Sequence, residues 1–295
     1  MRKVCYRATK MLKRSRIFLP FPISHMIPVS PSAAQSGALC STEPKLLFFG
    51  AQALYIGPSF GLSAHRNAVA VLCAGLGGSF GVANDPTRAA AGCVTCRTAL
   101  IKPNSLHRLE ISSSPMAFFY LDPLSVDSPI LEAAMRDDYG RFSTGIANEA
   151  RVLAALREIA DGLHSPSEAR AVLYKALTFG APIRQDERIF KVIQRLRENP
   201  AESNSLQSLA SAVGLSPSRF LHLFKQETGV PLRRYRIWTR MGAAIRHIGG
   251  GMSLTDSALA AGFSSSAHFS AAFRDMFGMQ PSRLAGARLG AASRP

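Results

Sequence analysis

The sequence predicts an α+β multidomain chain with a β-rich N-terminal domain, a helical linker and an all-α C-terminal domain. Three observations carry this reading. Residues 204–284 write one helical pattern twice, residues 45–121 hold short apolar runs separated by Gly, Pro and Asn, and residues 129–179 switch to helical spacing. At 295 residues and 47% hydrophobic content, the chain can bury a core in each of two domains.

Residues 1–44 carry 7 Lys+Arg against 1 Asp+Glu and become rich in Ser, Pro and Ala, which reads as a disordered basic extension. Met11 and Met26 are alternative starts within it. Its apolar stretch Ile17 to Ile23 is short and broken by Pro20 and Pro22, which argues against a secretory signal. No run of 18 apolar residues occurs anywhere, so no membrane partner and a cytoplasmic location are expected. Five cysteines, an odd number, do not make a disulfide framework. Cys93 and Cys96 have metal-ligand spacing, but no second pair of donors accompanies them. They read as small half-buried side chains of a strand, with redox sensing the alternative.

Residues 45–127 read as the β-rich domain. Lys45 to Ile56, Ala68 to Cys73, Thr98 to Ile101 and Met116 to Leu121 are strand-like runs, and their turn-rich spacing fits a small barrel or jelly roll. Residues 128–181 read as a helical linker or dimerisation region. Ile130, Ala133 and Ala134, then Ala150, Leu153, Ala154, Leu156, Ala160 and Leu163, fall at amphipathic spacing. Spacing alone leaves open whether that stripe meets a second copy or packs on the β-rich domain.

In residues 182–295 the first copy of the repeat runs from Leu206, Leu209, Ala210 and Val213 through Gly214 to a helix capped by Ser216, with Pro217 in its first turn and Phe220, Leu223 and Phe224 inward. The second runs from Leu254, Ala258 and Ala261 through Gly262 to Phe269, Phe273 and Phe277. Gly214 and Gly262 are 48 residues apart, whereas Phe224 and Phe273, like Gly229 and Gly278, are 49 apart, so the second copy holds one extra residue in its turn or early helix. Between the copies, Leu232 to His247 reads as one helix with Ile237, Met241, Ala244, Ile245 and Ile248 inward and Arg233, Arg234, Arg236 and Arg240 around the rest. Those arginines fit either a phosphate-facing surface or a solvated face.

Two helices joined by a short glycine turn can pack steeply and leave the second one's polar face free, a shape that fits the major groove of DNA. One copy alone fits an ordinary bundle as well; two in register point to a duplex with two readers. Charge agrees. Residues 182–295 hold 16 Lys+Arg against 7 Asp+Glu, while residues 45–181 hold 12 against 11.

Asp186 to Ile189, Ser205 to Ala210, Gly214 to Phe220, Leu223 to Lys225, Gly229 to Leu232, Ala261 to Phe263, His268-Phe269 and Phe273-Arg274 together resemble the AraC/XylS family of bacterial transcription regulators. That resemblance implies two helix-turn-helix units joined by a long helix, with the second helix of each unit in the major groove. Carried over by motif position, and with the neighbouring residues of the same outward faces, the base-contact candidates are Ser218, Arg219, Leu221 and His222 in the first unit and Ser265, Ser266, Ala267 and Ala271 in the second. The alanines weaken hydrogen-bond readout by the second unit and leave it phosphate, thymine-methyl or shape contacts. Arg219, Lys225, Arg240 and Arg274 are the phosphate-contact candidates. Leu100 to His107 also resembles the latter half of the cupin pattern, which implies a cupin-like sensor with His107 and His65 as ligand-pocket candidates. His65 is followed by Arg66-Asn67 with no carboxylate until Asp85, which argues against a metal site.

The function expected is a sequence-specific, effector-responsive DNA-binding transcription regulator without catalytic residues, metal or cofactor. Its expected partners are double-stranded DNA, a small-molecule effector, RNA polymerase and a second copy of the chain in a homodimer. Two alternatives from other classes are a cupin-type metal-dependent enzyme with a basic accessory domain and a non-specific architectural DNA binder.

Overall fold

The computed structural model describes residues 43–49, 51–59, 61–88, 92–112, 115–122, 127–177, 186–284 and 288–291. The N-terminal extension expected over residues 1–44 lies outside them except for its last two residues.

Strands β1 (Lys45–Phe49) and β2 (Gln52–Gly57) form a hairpin, so the single apolar run of the sequence folds back on itself. There follow β3 (His65–Arg66), β4 (Val71–Gly75), β5 (Phe80–Ala83), β6 (Cys93–Cys96), β7 (Thr98–Ile101), β8 (Leu106–His107), β9 (Leu109–Glu110) and β10 (Met116–Tyr120). Helix α1 (Asp127–Ala133) leads into β11 (Met135–Asp138) and β12 (Phe142–Ile146), then α2 (Glu149–Ala160) and α3 (Pro166–Leu177). The C-terminal helices are α4 (Glu187–Glu198), α5 (Leu206–Ser211), α6 (Pro217–Thr228), α7 (Leu232–Gly249), α8 (Leu254–Ala260) and α9 (Ser266–Phe277), closed by a 3-10 turn at Pro281–Leu284 and strand β13 (Arg288–Ala291).

The main sheet runs β11-β12-β7-β4-β10-β2-β1-β13; β3 pairs with β8, and β5 lies between β6 and β9. Residues 128–181, read as a helical linker, hold strands as well as helices. Two strands interrupt its helices, because Phe142 to Ile146 pairs in the main sheet with Ala99 to Ile101 and Met135 to Asp138 extends the edge. The C-terminal domain likewise is not wholly helical, since β13 returns to run parallel to β1.

Alternation along the strands sorts side chains to two faces. Leu54, Leu72, Leu100, Ala117 and Phe119 face α2 and α3, burying Val152, Leu156, Ile159 and Leu173. Of the amphipathic stripe, Leu153, Leu156 and Ala160 pack on the sheet, while Ala133, Ala150, Ala154 and Leu163 are exposed. Lys45 donates to the Ile159 carbonyl at 3.4 Å and to that of Ala160, supplying a cation to the C-terminal end of α2.

The opposite face, with Phe48, Tyr55, Val71, Cys73, Ile101, Phe118 and Tyr120, continues without a break into the C-terminal helices. Tyr120 meets Trp238 at 5.7 Å and Phe277 edge-on at 5.3 Å, and Arg246 lies over the Phe48 ring. Arg197 pairs with Asp122, their side chains only 16% and 15% exposed, and donates from Nε to the Tyr235 hydroxyl at 3.0 Å. Removing one partner of so buried a pair strands the other. Asp122→Ala is therefore expected to destabilise the fold by about 3 kcal/mol in denaturant unfolding, and the double replacement Asp122→Leu with Arg197→Met to recover most of that loss.

Candidate nucleic-acid interface

The two expected readers are α6 and α9. Ser216 is the N-cap of α6 and accepts the Arg219 N–H, with Pro217 in the first turn; Ser265 caps α9 and accepts the His268 N–H at 3.0 Å. Their preceding helices are capped in the same way by Ser205 and Ser253. The extra residue of the second copy is located by these caps: Ser216 stands two residues after Gly214, Ser265 three after Gly262. Each reader ends on a left-handed glycine, Gly229 and Gly278, both at φ 70°, a conformation costly for any side chain with a Cβ.

Inward, Phe220, Phe224 and Phe269 are fully buried and Phe273 is 1% exposed. Phe224 stacks edge-on against Tyr235 of α7, and Phe269 lies edge-on to Phe263. Leu223 is only half-buried. The connecting helix buries Tyr235 and Trp238 beside Met241, Ala244 and Ile245. Neither aromatic belongs to the apolar stripe that helical spacing predicts for this helix, although both are buried.

Outward, Ser218, Arg219, Leu221, His222 and Lys225 are all exposed on α6. On α9 and at its cap, Ser265, Ala267, His268, Ala271 and Arg274 are exposed, whereas Ser266 is half-buried. Among the described residues Arg219, Lys225 and Arg274 make no ion pair, so their charges face solvent. Three arginines of α7 differ. Arg234 pairs with Asp275 at 3.0 Å, Arg236 holds the Asn204 carbonyl, and Arg240 donates from Nε to the Pro200 carbonyl at 3.0 Å. Arg240 is half-buried, and one of its donors is spent inside the domain. His268, on the outward face of the second reader, is held by the Ser264 hydroxyl at its Nδ1, 3.0 Å away. The spacing Ser264 to His268, one helical turn, was the available signal.

His65 and His107 do meet, as the cross-strand pair of β3 and β8 with ring centroids 4.2 Å apart. Their rings are held by Ser63 and Ser105 carbonyls through Nδ1, and Asn67 bridges to His107 Nε2 at 3.2 Å. Burial pushes the His107 imidazole down to about 3 and lowers that of His65. Among the described residues, no group of three or more His, Cys, Asp or Glu is placed to hold a metal ion. His65 lies against Gly278 at the end of α9. Cys93 and Cys96 lie on β6, free, with burial pushing the Cys96 thiol up to about 12, far from a reactive thiolate.

A helix-turn-helix domain family model matches residues 209–286. The chain is 29% identical over 181 residues to the HTH-type transcriptional activator RhaS of Citrobacter koseri, covering 57% of this chain and 64% of that protein, and 29% identical over 182 residues to RhaS of Salmonella typhimurium with the same coverage. It thus spans somewhat less than two thirds of the length of these relatives. In fold it is similar to an apo variant of ToxT from Vibrio cholerae strain SCE256, with a TM-score of 0.53 and 13% identity over 79% of this chain and 96% of that one. The likeness to ToxT from Vibrio cholerae O395 is comparable, with a TM-score of 0.50 and 14% identity over 79% and 95%. The two-part architecture, a β-rich region followed by paired helical units, is common to these structures.

Two outcomes follow from the geometry. Ser216→Ala and Ser265→Ala should each cost about 1 kcal/mol in denaturant unfolding, the loss of one cap. Because the folded His107 resists protonation that the unfolded chain accepts at 6.5, stability should be complete above pH 6.5 and fall as pH drops from there toward about 3. His107→Phe should lower the number of protons taken up on unfolding in that range by about one, read from the pH dependence of the denaturation midpoint.

Proposed function

We propose that the protein is a sequence-specific transcription regulator whose C-terminal domain is of the AraC/XylS double helix-turn-helix type. It binds double-stranded DNA through α6 and α9 and answers a small-molecule effector through its β-rich domain. The observation that carries this reading is the duplicated reader: two serine-capped helices, in register, each backed by buried phenylalanines and presenting an exposed polar face. The RhaS relatives, named as transcriptional activators, support it.

Within that reading Ser218, Arg219, Leu221 and His222 reach base edges from α6. Ser265, Ser266, Ala267, His268 and Ala271 do so from α9, where His268 and the serines are the hydrogen-bonding members and the alanines offer apolar contact to thymine methyls. Arg219, Lys225 and Arg274 hold phosphates, with Arg240 contributing whatever donors Pro200 leaves it. The sensor comprises residues 45–177, since β11, β12, α2 and α3 are built onto its sheet, and the DNA-binding domain begins near Asp186. A homodimer, contact with RNA polymerase and a cytoplasmic location belong to the same reading; among the described residues no helix is long and apolar enough to cross a membrane. No residue is assigned a catalytic role.

The test is selection of a binding site from random DNA, followed by competition against bulk genomic DNA. Preference for the selected site by about 10³-fold or more supports a regulator, and preference below about tenfold an architectural binder. On that site His222→Ala should cost about 1–3 kcal/mol and relax the bases tolerated. Lys225→Ala should weaken all sequences alike and reduce the salt slope by about one. An equal loss on specific and random DNA for His222→Ala contradicts its assigned role.

A further inference from the structure

The reader ends described above are not free. Ser63 donates its backbone N–H and its hydroxyl to the Gly278 carbonyl at 3.2 and 3.1 Å, and a Cβ placed on Gly278 would stand 2.6 Å from His65 Nδ1. Gly278 is thus both the left-handed residue that ends α9 and the seat of a sensor loop. At the equivalent position of the first copy, Gly229, a Cβ would stand 3.5 Å from the Pro103 ring, which belongs to the loop before β8. The two loops are one unit: β3 and β8 pair, the Asn104 N–H donates to the Asn67 carbonyl at 2.9 Å, and Arg66 donates to the Asn104 carbonyl at 2.9 Å. Arg234, at the start of α7, ties the same ribbon to α9 by donating to the Arg66 carbonyl while it pairs with Asp275.

We propose that the β3–β8 ribbon seats the C-terminal ends of both recognition helices, with His65 and Pro103 as the positioning residues that set the separation of the two readers. The inference rests on the reading of α6 and α9 as DNA readers. Neither residue touches DNA in it. The cross-strand contact of the tilted His65 and His107 rings, 4.2 Å between centroids, stiffens the ribbon, so that a displacement of one loop is felt at the other. The fold places a sensor segment where a change in the sensor reaches both readers together, and reader separation is the quantity a two-groove site measures.

The test is a spacing series on the selected site, in which one or two base pairs are inserted or deleted between the two groove contacts. Full-length wild type is expected to bind the native spacing at least about tenfold more tightly than its neighbours, because the second contact forms only when geometry permits. His65→Ala and Pro103→Gly should lose affinity at the native spacing but little at the altered ones, bringing the preference below about threefold, and His65→Gln should restore part of it. Uniform losses at every spacing, with the preference intact, overturn the proposal. Ser63→Ala, which removes one hydroxyl and no packing, gives the same reading should His65→Ala fail to fold. Failure of wild type to prefer any site would count against the regulator reading itself, a result distinct from an unchanged spacing profile in the variants.

Discussion

One aromatic column fixes the second reader to the rest of the protein. Phe269, Phe273 and Phe277 rise along a single face of α9, and the last of them meets Tyr120 of β10 edge-on while Trp238 of α7 closes the third side. Truncating any of these rings to Ala would remove about 3–5 kcal/mol, a large share of a typical domain's margin. Because the column begins in the C-terminal helices and ends in the β-sheet, the β-rich part and the helical part share one core. The exposed face of α9 has its orientation set by what lies behind it.

Charge is divided in keeping with that arrangement. The cations of α6 and α9 are left to solvent, whereas Arg234, Arg236 and Arg240 of α7 are held by Asp275 and by the carbonyls of Arg66, Asn204 and Pro200. The same residue type therefore stands in two settings, exposed on α6 and α9 and tied to neighbouring groups on α7. Burial sorts one from the other.

Much of the C-terminal domain was legible in the sequence because its signals are local. The Ser216 cap, the glycines Gly229 and Gly278 and the phenylalanines at i and i+4 each act within a turn or two of chain, and these fall where spacing placed them, whereas the caps Ser205, Ser253 and Ser265 were not singled out. The β-rich domain was legible only in part. Lys45 to Ile56 reads as one strand until the turn after Phe49 is seen, and β11 and β12 hide among helical residues because pairing with β7 is a long-range contact with no local mark. His65 and His107 were brought together by the cupin-like spacing, yet what they face, Gly278 of the other domain, lies more than 150 residues away and no motif carries it. The return of β13 to β1 was illegible for the same reason.

The central claim is that α6 and α9 enter two successive major grooves of one duplex together. Hydroxyl-radical footprinting of the full-length protein on its selected site measures this directly. The account predicts two protected segments about 10.5 base pairs apart on one face of the helix. A single protected segment, or uniform protection along the fragment, would contradict it.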